Sequence, residues 1–398
     1  MKYDVIVVGA GIVGLASALK ILEKNRSLKL LILEKENSVA KHQTGNNSGV
    51  IHSGIYYKPG SLKAQNCVRG YKMLLDFCNE NKIRYDICGK VIIAVGEKEI
   101  PVMENLLERG NQNGLKGLKR LTPEEVKKIE PYVDCVSGIF VPQTGIVDYN
   151  EVSEKYLELI KRAEGQIEFN TEVKNLLIKK DECEVITSKG IFKSEVVVTC
   201  AGLFADRIAK KTHPDLHLRI IPFRGEYYKL KKEKNNLVNA LIYPVPDPEF
   251  PFLGVHFTKM INGERECGPN AVLSFKREGY TKTSFNLLDT FETFTWSGFH
   301  KLIKKYWRTG LGEFYRSYNK KAFVRALKKL IPEVTGDDLE PGGAGVRAQA
   351  CLKDGKLIDD FYIVEDEKTI HVCNAPSPAA TASLSIGDFI SYKVLAKI

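Results

Sequence analysis

Residues 5–14 read Val5-Ile6-Val7-Val8-Gly9-Ala10-Gly11-Ile12-Val13-Gly14, and Glu34 follows twenty residues after the last glycine. The first four residues form an apolar run that predicts a buried strand. The glycines have the spacing Gly-x-Gly-x-x-Gly, residues 15–22 have helical spacing, and a second apolar run at 28–33 leads into the acid. Strand, glycines, helix, strand and acid together are typical of a dinucleotide-binding βαβ unit.

Each part of this unit has a physical role. Gly9 allows a tight turn, Gly11 lets the backbone approach a pyrophosphate, and Gly14 lets the helix pack closely on the strand. The helix N-terminus offers free N–H groups to phosphates. Glu34 can accept hydrogen bonds from an adenosine ribose. We therefore expect these residues of the unit to contact the nucleotide: Gly9, Gly11, Ile12, Val13, Gly14, Glu34 and Lys35.

Composition and charge narrow the class of protein. A chain of 398 residues can build two or three cores, and 43% hydrophobic with 27% charged residues is ordinary for a globular protein. The net charge of +10 comes from residues spread along the chain, without an arginine-rich tract, which predicts a solvated basic surface and no nucleic-acid partner. Nine scattered cysteines lack metal-ligand spacing, so we expect reduced thiols, a cytoplasmic location and no metal site.

The βα pattern recurs far along the chain. A strand at 195–198 leads into a helix from Phe204, and a strand at 369–373 leads into a helix from about Ala379 to Lys397. Between these pieces, strand-like stretches rich in aromatic and β-branched residues suit a curved antiparallel sheet. The predicted fold class is α/β (α+β), with a discontinuous Rossmann-like domain at 1–85, 149–215 and 336–398 interleaved with a β-rich substrate domain at 86–148 and 216–335.

Residues 299–331 are predicted to be helical, amphipathic and basic. One apolar face comprises Phe299, Leu302, Ile303, Tyr306 and Trp307, and a second face follows from Ala322 to Ile331. Packing against the protein's own core is the favoured interpretation. Docking on an anionic lipid surface stays open as the alternative, because lysines line the opposite sides.

Five segments give the sequence a specific resemblance. The first reads Thr44-Gly45-Asn46-Asn47-Ser48-Gly49-Val50-Ile51-His52-Ser53-Gly54-Ile55-Tyr56-Tyr57, and the others lie at 222–228, 253–258, 306–313 and 374–381. With the N-terminal fingerprint, they resemble the FAD-dependent D-amino acid oxidase/glycerol-3-phosphate dehydrogenase superfamily. Within it, the chain is similar along its whole length to the L-2-hydroxyglutarate oxidase/dehydrogenase family.

The resemblance implies a fold like those of D-amino acid oxidase and glutathione reductase, with bound FAD. It also implies oxidation of L-2-hydroxyglutarate to 2-oxoglutarate by hydride transfer from C2 to flavin N5. Two alternatives stay open: another substrate of the superfamily, such as glycerol 3-phosphate, glycine or sarcosine, and a flavin-containing RNA-modification protein. The electron acceptor would be oxygen or a membrane quinone. The expected location is cytoplasmic, with peripheral contact to the inner membrane surface as a further option.

A base is needed for the hydroxyl proton, and histidine titrates in the right range. Of seven histidines, His256 and His52 lie within the family motifs, and His256 is the first choice as base or substrate hydrogen-bonder. For the carboxylates, a planar guanidinium is suited, and Arg347 is the first choice. The other expected substrate contacts are Tyr57, Arg224, Tyr243 and Lys259, with pairing to Glu226 as an alternative role for Arg224.

The remaining cofactor contacts depend on the resemblance. The start of the last helix is expected to face the flavin, where a helix N-terminus would stabilise negative charge on the reduced ring. The loop at 44–49 would line the flavin, and residues near 173 and 202 the adenine and pyrophosphate. These expected contacts are Thr44, Asn47, Ser48, Gly49, Val173, Ala201, Gly202, Pro378, Ala379, Ala380 and Thr381.

Overall fold

The computed structural model describes residues 2–248 and 253–398. The strands of this part of the chain are β1 (Lys2–Val8), β2 (Leu30–Leu33), β3 (Val50–Ile51), β4 (Tyr85–Asp86), β5 (Lys90–Ala94), β6 (Lys119–Leu121), β7 (Ser137–Val141), β8 (Gly145–Val147), β9 (Gln166–Glu168), β10 (Val173–Ile178), β11 (Cys183–Thr187), β12 (Gly190–Thr199), β13 (Leu218–Leu230), β14 (Leu241–Pro244), β15 (His256–Lys259), β16 (Arg265–Gly268), β17 (Val272–Leu273), β18 (Leu339–Leu352), β19 (Tyr362–Glu365) and β20 (Thr369–Asn374). The α-helices are α1 (Ile12–Lys24), α2 (Leu62–Glu80), α3 (Ile100–Gln112), α4 (Pro123–Ile129), α5 (Tyr149–Arg162), α6 (Ala205–Ala209), α7 (Leu287–Phe294), α8 (Ser297–Tyr318), α9 (Lys320–Leu327) and α10 (Ser383–Leu395).

The first sheet is a largely parallel, nucleotide-binding type of sheet. Its main path runs β10-β11-β12-β1-β2-β9, with β20 joined to β12 and β19 to β20. Strand β1 pairs in parallel with both β12 and β2, and β12 pairs in parallel with β20. Helices α5 and α10 pack against α1. Because helices cover its central strands, β2 is fully buried, which explains the continuous apolar run in the sequence.

Two glycines of the fingerprint are required by close backbone approaches. Gly9 has a φ of +101°, and a Cβ at this position would lie 2.5 Å from the carbonyl oxygen of Cys200. A Cβ at Gly14 would lie 2.0 Å from the carbonyl oxygen of Gly9. Only glycine therefore fits where β1 turns into α1 and where α1 packs on the turn.

The second sheet has nine strands in the order β17-β13-β16-β15-β14-β5-β7-β6, with β18 joined to β13. Most neighbouring strands are antiparallel, as the sequence predicts for the β-rich domain, and β14 pairs in parallel with β5. Strand β18 pairs along its length with β13. This strand belongs to the second sheet, although it lies within the range 336–398 that the sequence analysis assigned to the nucleotide-binding domain. The domain boundaries stay predictions.

The basic helical region consists of α8 and α9. Phe299 and Leu302 are buried as predicted, but Ile303 is 39% exposed and Trp307 is 50% exposed. The prediction of one core-facing stripe is therefore wrong for these two side chains. The sequence placed them on the buried face because their spacing is helical, but the apolar face is wider than the core beneath it.

The C-terminal helix begins later than predicted. Helix α10 starts at Ser383, and the preceding turn is closed by a hydrogen bond from the Ala382 N–H to the Pro378 carbonyl oxygen, 2.9 Å. Nine cysteines, among them Cys67, are free thiols in this structure. None of the helices in the described ranges is both long and apolar enough to cross a bilayer.

Candidate functional site

A cavity of about 1420 Å³ extends from the β1–α1 turn to the mixed sheet. Small-molecule pockets usually measure about 300–1,000 Å³, so this cavity has room for more than a drug-sized ligand. Its walls come from β1, α1, the segment at 40–57, β13, β15, β18 and the turn before α10. Both sheets therefore contribute to one continuous site.

Most of the predicted site residues line this cavity. They are Gly9, Gly11, Ile12, Val13, Gly14, Glu34, Lys35, Thr44, Asn47, Ser48, His52, Tyr57, Val173, Ala201, Gly202, Tyr243, His256, Arg347, Pro378, Ala379 and Ala380. Four predicted residues do not line it: Gly49, Arg224, Lys259 and Thr381.

At the nucleotide end, the start of α1 presents free backbone donors. The N–H groups of Val13 and Gly14 have no acceptor in the described part of the chain, whereas the Ile12 N–H donates to Thr44 Oγ1 over 3.1 Å. Unpaired N–H groups at a helix N-terminus bind anions. This end of the cavity therefore fits a pyrophosphate.

Glu34 is held in a fixed position beside these donors. It is 8% exposed, its Oε2 accepts from the Ala10 N–H over 2.7 Å, and its Oε1 accepts from the Glu36 N–H over 2.9 Å. A carboxylate has further lone pairs, and this one borders the cavity. The arrangement fits hydrogen bonding to the hydroxyls of a ribose.

Two predicted cofactor contacts are displaced from the cavity. Gly49 borders a smaller neighbouring cavity of about 260 Å³. Thr381 is 1% exposed, and its Oγ1 lies 2.9 Å from the Tyr149 hydroxyl and accepts from the His52 N–H over 3.1 Å. The Thr381 side chain therefore ties the segment at 50–52 to the turn before α10, and it positions its neighbours without facing the cavity.

His256 lies at the other end of the cavity, on β15. It is 6% exposed, its ring centroid lies 3.9 Å from that of Tyr243, and its Nδ1 lies 2.9 Å from the Gly254 carbonyl oxygen. A carbonyl can only accept, so Nδ1 carries the proton and Nε2 carries the free lone pair. Burial lowers the pKa of His256 to about 3, with the positive charges of Arg347 and Lys90 acting in the same direction. The imidazole is therefore neutral and able to accept a proton.

His52 occupies the same end. Its Nε2 lies 3.4 Å from Ser377 Oγ, and the Cys67 thiol contacts its carbonyl oxygen at 3.3 Å. Burial lowers the pKa of His52 to about 3, assisted by Lys90 and His256. Two neutral imidazoles and Arg347 therefore meet in one chamber, where burial also lowers the pKa of the Arg347 guanidinium.

Two predicted substrate contacts form ion pairs with acidic residues and do not line the cavity. Arg224 is 3% exposed and forms an ion pair with Glu226 at 2.8 Å, the alternative role that the sequence left open. Lys259 forms an ion pair with Asp86 at 2.8 Å. The sequence could place both residues near the family motifs, but it could not show that an acidic partner already neutralises each of them.

Acidic groups surround His42 at the rim of the cavity. Its Nε2 lies 2.9 Å from Glu36 Oε1 and 3.0 Å from Glu278 Oε1, and the Lys35 ammonium lies 2.5 Å from the same Glu278 oxygen. Burial alone would lower the pKa of His42, but the hydrogen bond and negative charge of Glu278 raise it. Although His42 and the two acids converge as metal ligands would, Lys35 already supplies a cation there. The prediction of no metal site stays a prediction.

Sequence reasoning missed several lining residues. Tyr56 lies beside the predicted Tyr57 in the same motif, and Gln43 precedes the predicted Thr44. Arg109 reaches the cavity from α3, where its Nη1 donates to the Tyr56 carbonyl oxygen over 2.9 Å. The motif could have indicated Tyr56, but no local pattern marks Arg109, because its approach depends on tertiary packing.

This geometry defines a class of protein: an oxidoreductase with a resident dinucleotide and an adjoining chamber of neutral imidazoles. The family model for FAD-dependent oxidoreductases (DAO) matches residues 4–393, and the chain belongs to this family. The cofactor is FAD, and the free donors of α1 and the fixed Glu34 fit its phosphates and ribose.

The curated relatives narrow the class further. The chain is 56% identical over 388 residues to an L-2-hydroxyglutarate dehydrogenase of Indibacter alkaliphilus, covering 97% of each chain. It is 45% identical to the L-2-hydroxyglutarate dehydrogenase of Escherichia coli K12, covering 98% of this chain and 93% of the relative. It is also 45% identical to the mitochondrial L-2-hydroxyglutarate dehydrogenase of Homo sapiens, covering 99% and 89%.

Solved structures share the fold at lower identity. An FAD-bound L-alpha-glycerophosphate oxidase from Mycoplasma pneumoniae superposes with a TM-score of 0.80 at 23% identity, covering 100% of this chain and 95% of that one. A glycine oxidase from Bacillus cereus superposes with a TM-score of 0.72 at 18% identity, covering 100% and 96%. These likenesses bear out the predicted fold class, a Rossmann-like FAD-binding domain interleaved with a β-rich domain.

Proposed function

We propose that the protein oxidises L-2-hydroxyglutarate to 2-oxoglutarate. The observation that carries this proposal is the 56% identity over 97% of the chain to a relative of that name. The reaction removes a hydride from C2 and a proton from the hydroxyl. Bound FAD supplies the two-electron acceptor, and the residues of the substrate end hold the substrate and take the proton.

Arg347 holds the carboxylate next to C2. Its guanidinium borders the chamber that contains His52 and His256, and it presents a planar fork that suits a carboxylate. Tyr57 and Tyr243 also line this chamber and offer hydroxyl donors. A carboxylate held in this way fixes C2 and its hydroxyl in one orientation.

His256 takes the hydroxyl proton through Nε2. The bond from Nδ1 to Gly254 fixes the tautomer that leaves Nε2 free to accept. In the free enzyme, burial lowers the pKa of His256 to about 3, so the imidazole is a weak base. A bound substrate dianion adds negative charge beside it, which raises its pKa toward the ordinary range and strengthens it as a base. His52 is the second candidate for the same role.

The electrons leave to oxygen or to a membrane quinone, and the surface of α7 and α8 favours a membrane partner. Five apolar side chains of these helices are exposed by half or more: Leu287, Leu288, Phe291, Trp307 and Leu311. Basic residues stand beside them on α8, among them Lys304, Lys305 and Arg308. Leu288 also lines the cavity, so this apolar surface reaches the site. Apolar helices flanked by basic residues suit an anionic lipid surface.

Flotation with vesicles tests the membrane contact. The protein is expected to float with vesicles of anionic lipid and to lose this binding in the double variant Leu287→Glu with Leu311→Glu. Ile191→Glu, which changes a 58% exposed side chain on β12, is the matched control. Equal binding by the double variant would contradict the proposed surface.

Anaerobic mixing of the flavin-loaded protein with candidate substrates tests the activity. L-2-hydroxyglutarate is expected to bleach the flavin absorbance, with 2-oxoglutarate formed in equal amount. Glycerol 3-phosphate, glycine and sarcosine are expected to leave it unchanged. Bleaching by one of these compounds and not by L-2-hydroxyglutarate would show that the proposed substrate is wrong.

A further inference from the structure

The substrate chamber needs a second positive charge if its ligand is a dicarboxylate, an inference that rests on the proposed function. In the proposed function, Arg347 binds the carboxylate next to C2, and the other carboxylate has no cation assigned to it. Arg224 and Lys259 are neutralised by Glu226 and Asp86, and neither lines the cavity. Lys63 lines the cavity but forms an ion pair with Asp359 at 2.8 Å. The cation for the second carboxylate has to be sought among other residues.

Lys90 is a buried lysine that has no acidic partner among the residues that the structure describes. It stands at the start of β5 and is only 1% exposed. Its ammonium forms no ion pair or hydrogen bond with any residue in the ranges 2–248 and 253–398. It packs instead against two aromatic rings, 4.4 Å from the Tyr56 centroid and 4.8 Å from the Tyr243 centroid. A buried lysine without a carboxylate is costly, and two ring faces compensate for only part of that cost.

The two rings connect Lys90 to the chamber. Tyr56 and Tyr243 both line the cavity, whereas Lys90 stands behind this lining. The Tyr56 hydroxyl is buried and has no hydrogen-bond partner among the described residues. Tyr243 also packs against His256. On the Tyr56 side, the chamber therefore combines a lysine and a tyrosine hydroxyl that are both without a polar partner in the described part of the chain.

We propose that Lys90 is the positioning residue for the second carboxylate of the substrate, acting through Tyr56 and Tyr243. The Tyr56 hydroxyl donates to the carboxylate, and the ammonium behind the rings supplies the opposite charge. The bound dianion in turn supplies a counter-charge that none of the described residues provides to Lys90. This pairing makes the site selective for a dicarboxylate over a monocarboxylate of similar size.

The pKa values of Lys90, His52 and His256 agree with this role for Lys90. Burial lowers the pKa of Lys90 to about 7, so its proton is loosely held until an anion binds. The charge of Lys90 also contributes to the low pKa values of His52 and His256, which places its field within the chamber. A dianion in the chamber would offset the positive potential that Lys90 and Arg347 create there.

Variants at Lys90 test the proposal through substrate preference. Lys90→Met removes the charge at similar volume, and Lys90→Arg keeps the charge. Lys259→Met is the matched control, because it removes a lysine of the same sheet that does not line the cavity. Anaerobic flavin reduction is measured with L-2-hydroxyglutarate and with L-2-hydroxypentanoate, which has a methyl group in place of the second carboxylate. If Lys90→Met does not retain FAD, Lys90→Gln replaces it.

Lys90→Met is expected to raise the apparent Kd for L-2-hydroxyglutarate by about tenfold or more and to leave that for L-2-hydroxypentanoate unchanged. Lys90→Arg and Lys259→Met are expected to keep the preference of the native protein. An equal effect on both substrates, or no effect, would overturn the role of Lys90. If the native protein is not reduced by L-2-hydroxyglutarate, the proposed function fails. Binding of glutarate to native protein and Lys90→Met, followed by the flavin spectrum, then decides the role of Lys90 separately.

The pH dependence of substrate preference in the native protein gives a second test of the role of Lys90. The titratable groups around Lys90 are Tyr56 and Tyr243, Cys67 on α2, His52 and His256. Burial raises the pKa of Cys67 to about 12 and those of both tyrosines above their ordinary value. Between pH 6 and 9, Lys90 is therefore the member of this group that changes charge. The preference for L-2-hydroxyglutarate over L-2-hydroxypentanoate is expected to fall as pH rises through this window, and a constant preference would contradict the proposal.

Discussion

The two ends of the cavity are built on different principles. The nucleotide end is shaped by residues close together in sequence, with Gly9, Gly14 and Glu34 within one βαβ unit, and its donors are backbone N–H groups. The substrate end gathers side chains from distant elements: His52 from the segment after β3, His256 from β15 and Arg347 from β18. One end depends on backbone shape and the other on buried charge.

This difference has a physical consequence for substitutions. Backbone shape cannot be adjusted by rotating a side chain, so a change at the nucleotide end abolishes binding of the cofactor. Buried charges act over several ångströms and oppose one another, so a change at the substrate end alters rate, affinity or pH response with the cofactor still bound. Four experiments test this difference between the nucleotide end and the substrate end of the cavity.

Gly14→Ala is expected to have the largest effect. Its Cβ would lie 2.0 Å from the Gly9 carbonyl oxygen and 3.2 Å from the Gly9 carbonyl carbon, and these backbone atoms cannot rotate away as a side chain could. We expect protein without flavin and a loss of about 3 kcal/mol in the free energy of unfolding. The ratio of flavin to protein absorbance and urea unfolding measure these effects. Gly310→Ala, where nothing lies within 4 Å of the added Cβ, is the control. A Gly14→Ala protein with full flavin content would refute the shape argument.

His256→Ala is expected to slow anaerobic flavin reduction by about 10²- to 10⁴-fold, because it removes the proton acceptor. Flavin content should stay as in the native protein. His300→Ala, at an exposed residue of α8, should reduce at the native rate. A native rate in His256→Ala together with a slow rate in His52→Ala would assign the base to His52.

Acid is expected to destabilise the substrate end through His256. Its pKa is about 3 in the folded protein and about 6.5 in an unfolded chain, so the unfolded chain binds more protons between these values. The stability linked to this residue is complete above about pH 6.5 and falls with pH, by about 2 kcal/mol at pH 5. Urea unfolding at pH 7 and pH 5 should therefore show a smaller loss in His256→Gln than in the native protein. An identical loss would mean that His256 is not kept neutral by burial.

Arg347→Lys is expected to have the smallest effect, a weakening of substrate affinity by about tenfold, because lysine cannot form the bidentate contact. The limiting rate of flavin reduction should change less than the affinity. Lys259→Ala is the control for loss of a cation from the same sheet. Unchanged affinity in Arg347→Ala would show that the carboxylate is held by another residue.

The contrast between the two ends also explains what the sequence could predict. The fingerprint residues Gly9 to Glu34 are local, and their spacing directly encodes the turn and the helix start. At the substrate end, the resemblance supplied His256 and Arg347, but it also supplied Arg224 and Lys259, which lie in ion pairs. Spacing cannot show which partner a charged side chain meets after folding.

Surface exposure was the other feature that sequence did not predict well. Helical periodicity grouped Trp307 with Phe299, but α8 buries Phe299 at 3% exposure and leaves Trp307 at 50%. The width of the core beneath a helix is set by the neighbouring elements. Lys90 illustrates the same limit, because a lone lysine at the start of an apolar strand gives no sign that it will be fully buried beside two tyrosines.

Anaerobic titration of the flavin-loaded protein with the two enantiomers of 2-hydroxyglutarate tests the central claim most directly. The account predicts that the L enantiomer reduces the flavin completely at one equivalent and yields one equivalent of 2-oxoglutarate, while the D enantiomer leaves the spectrum oxidised. Reduction by the D enantiomer alone, or by neither, would contradict the assignment of the substrate end.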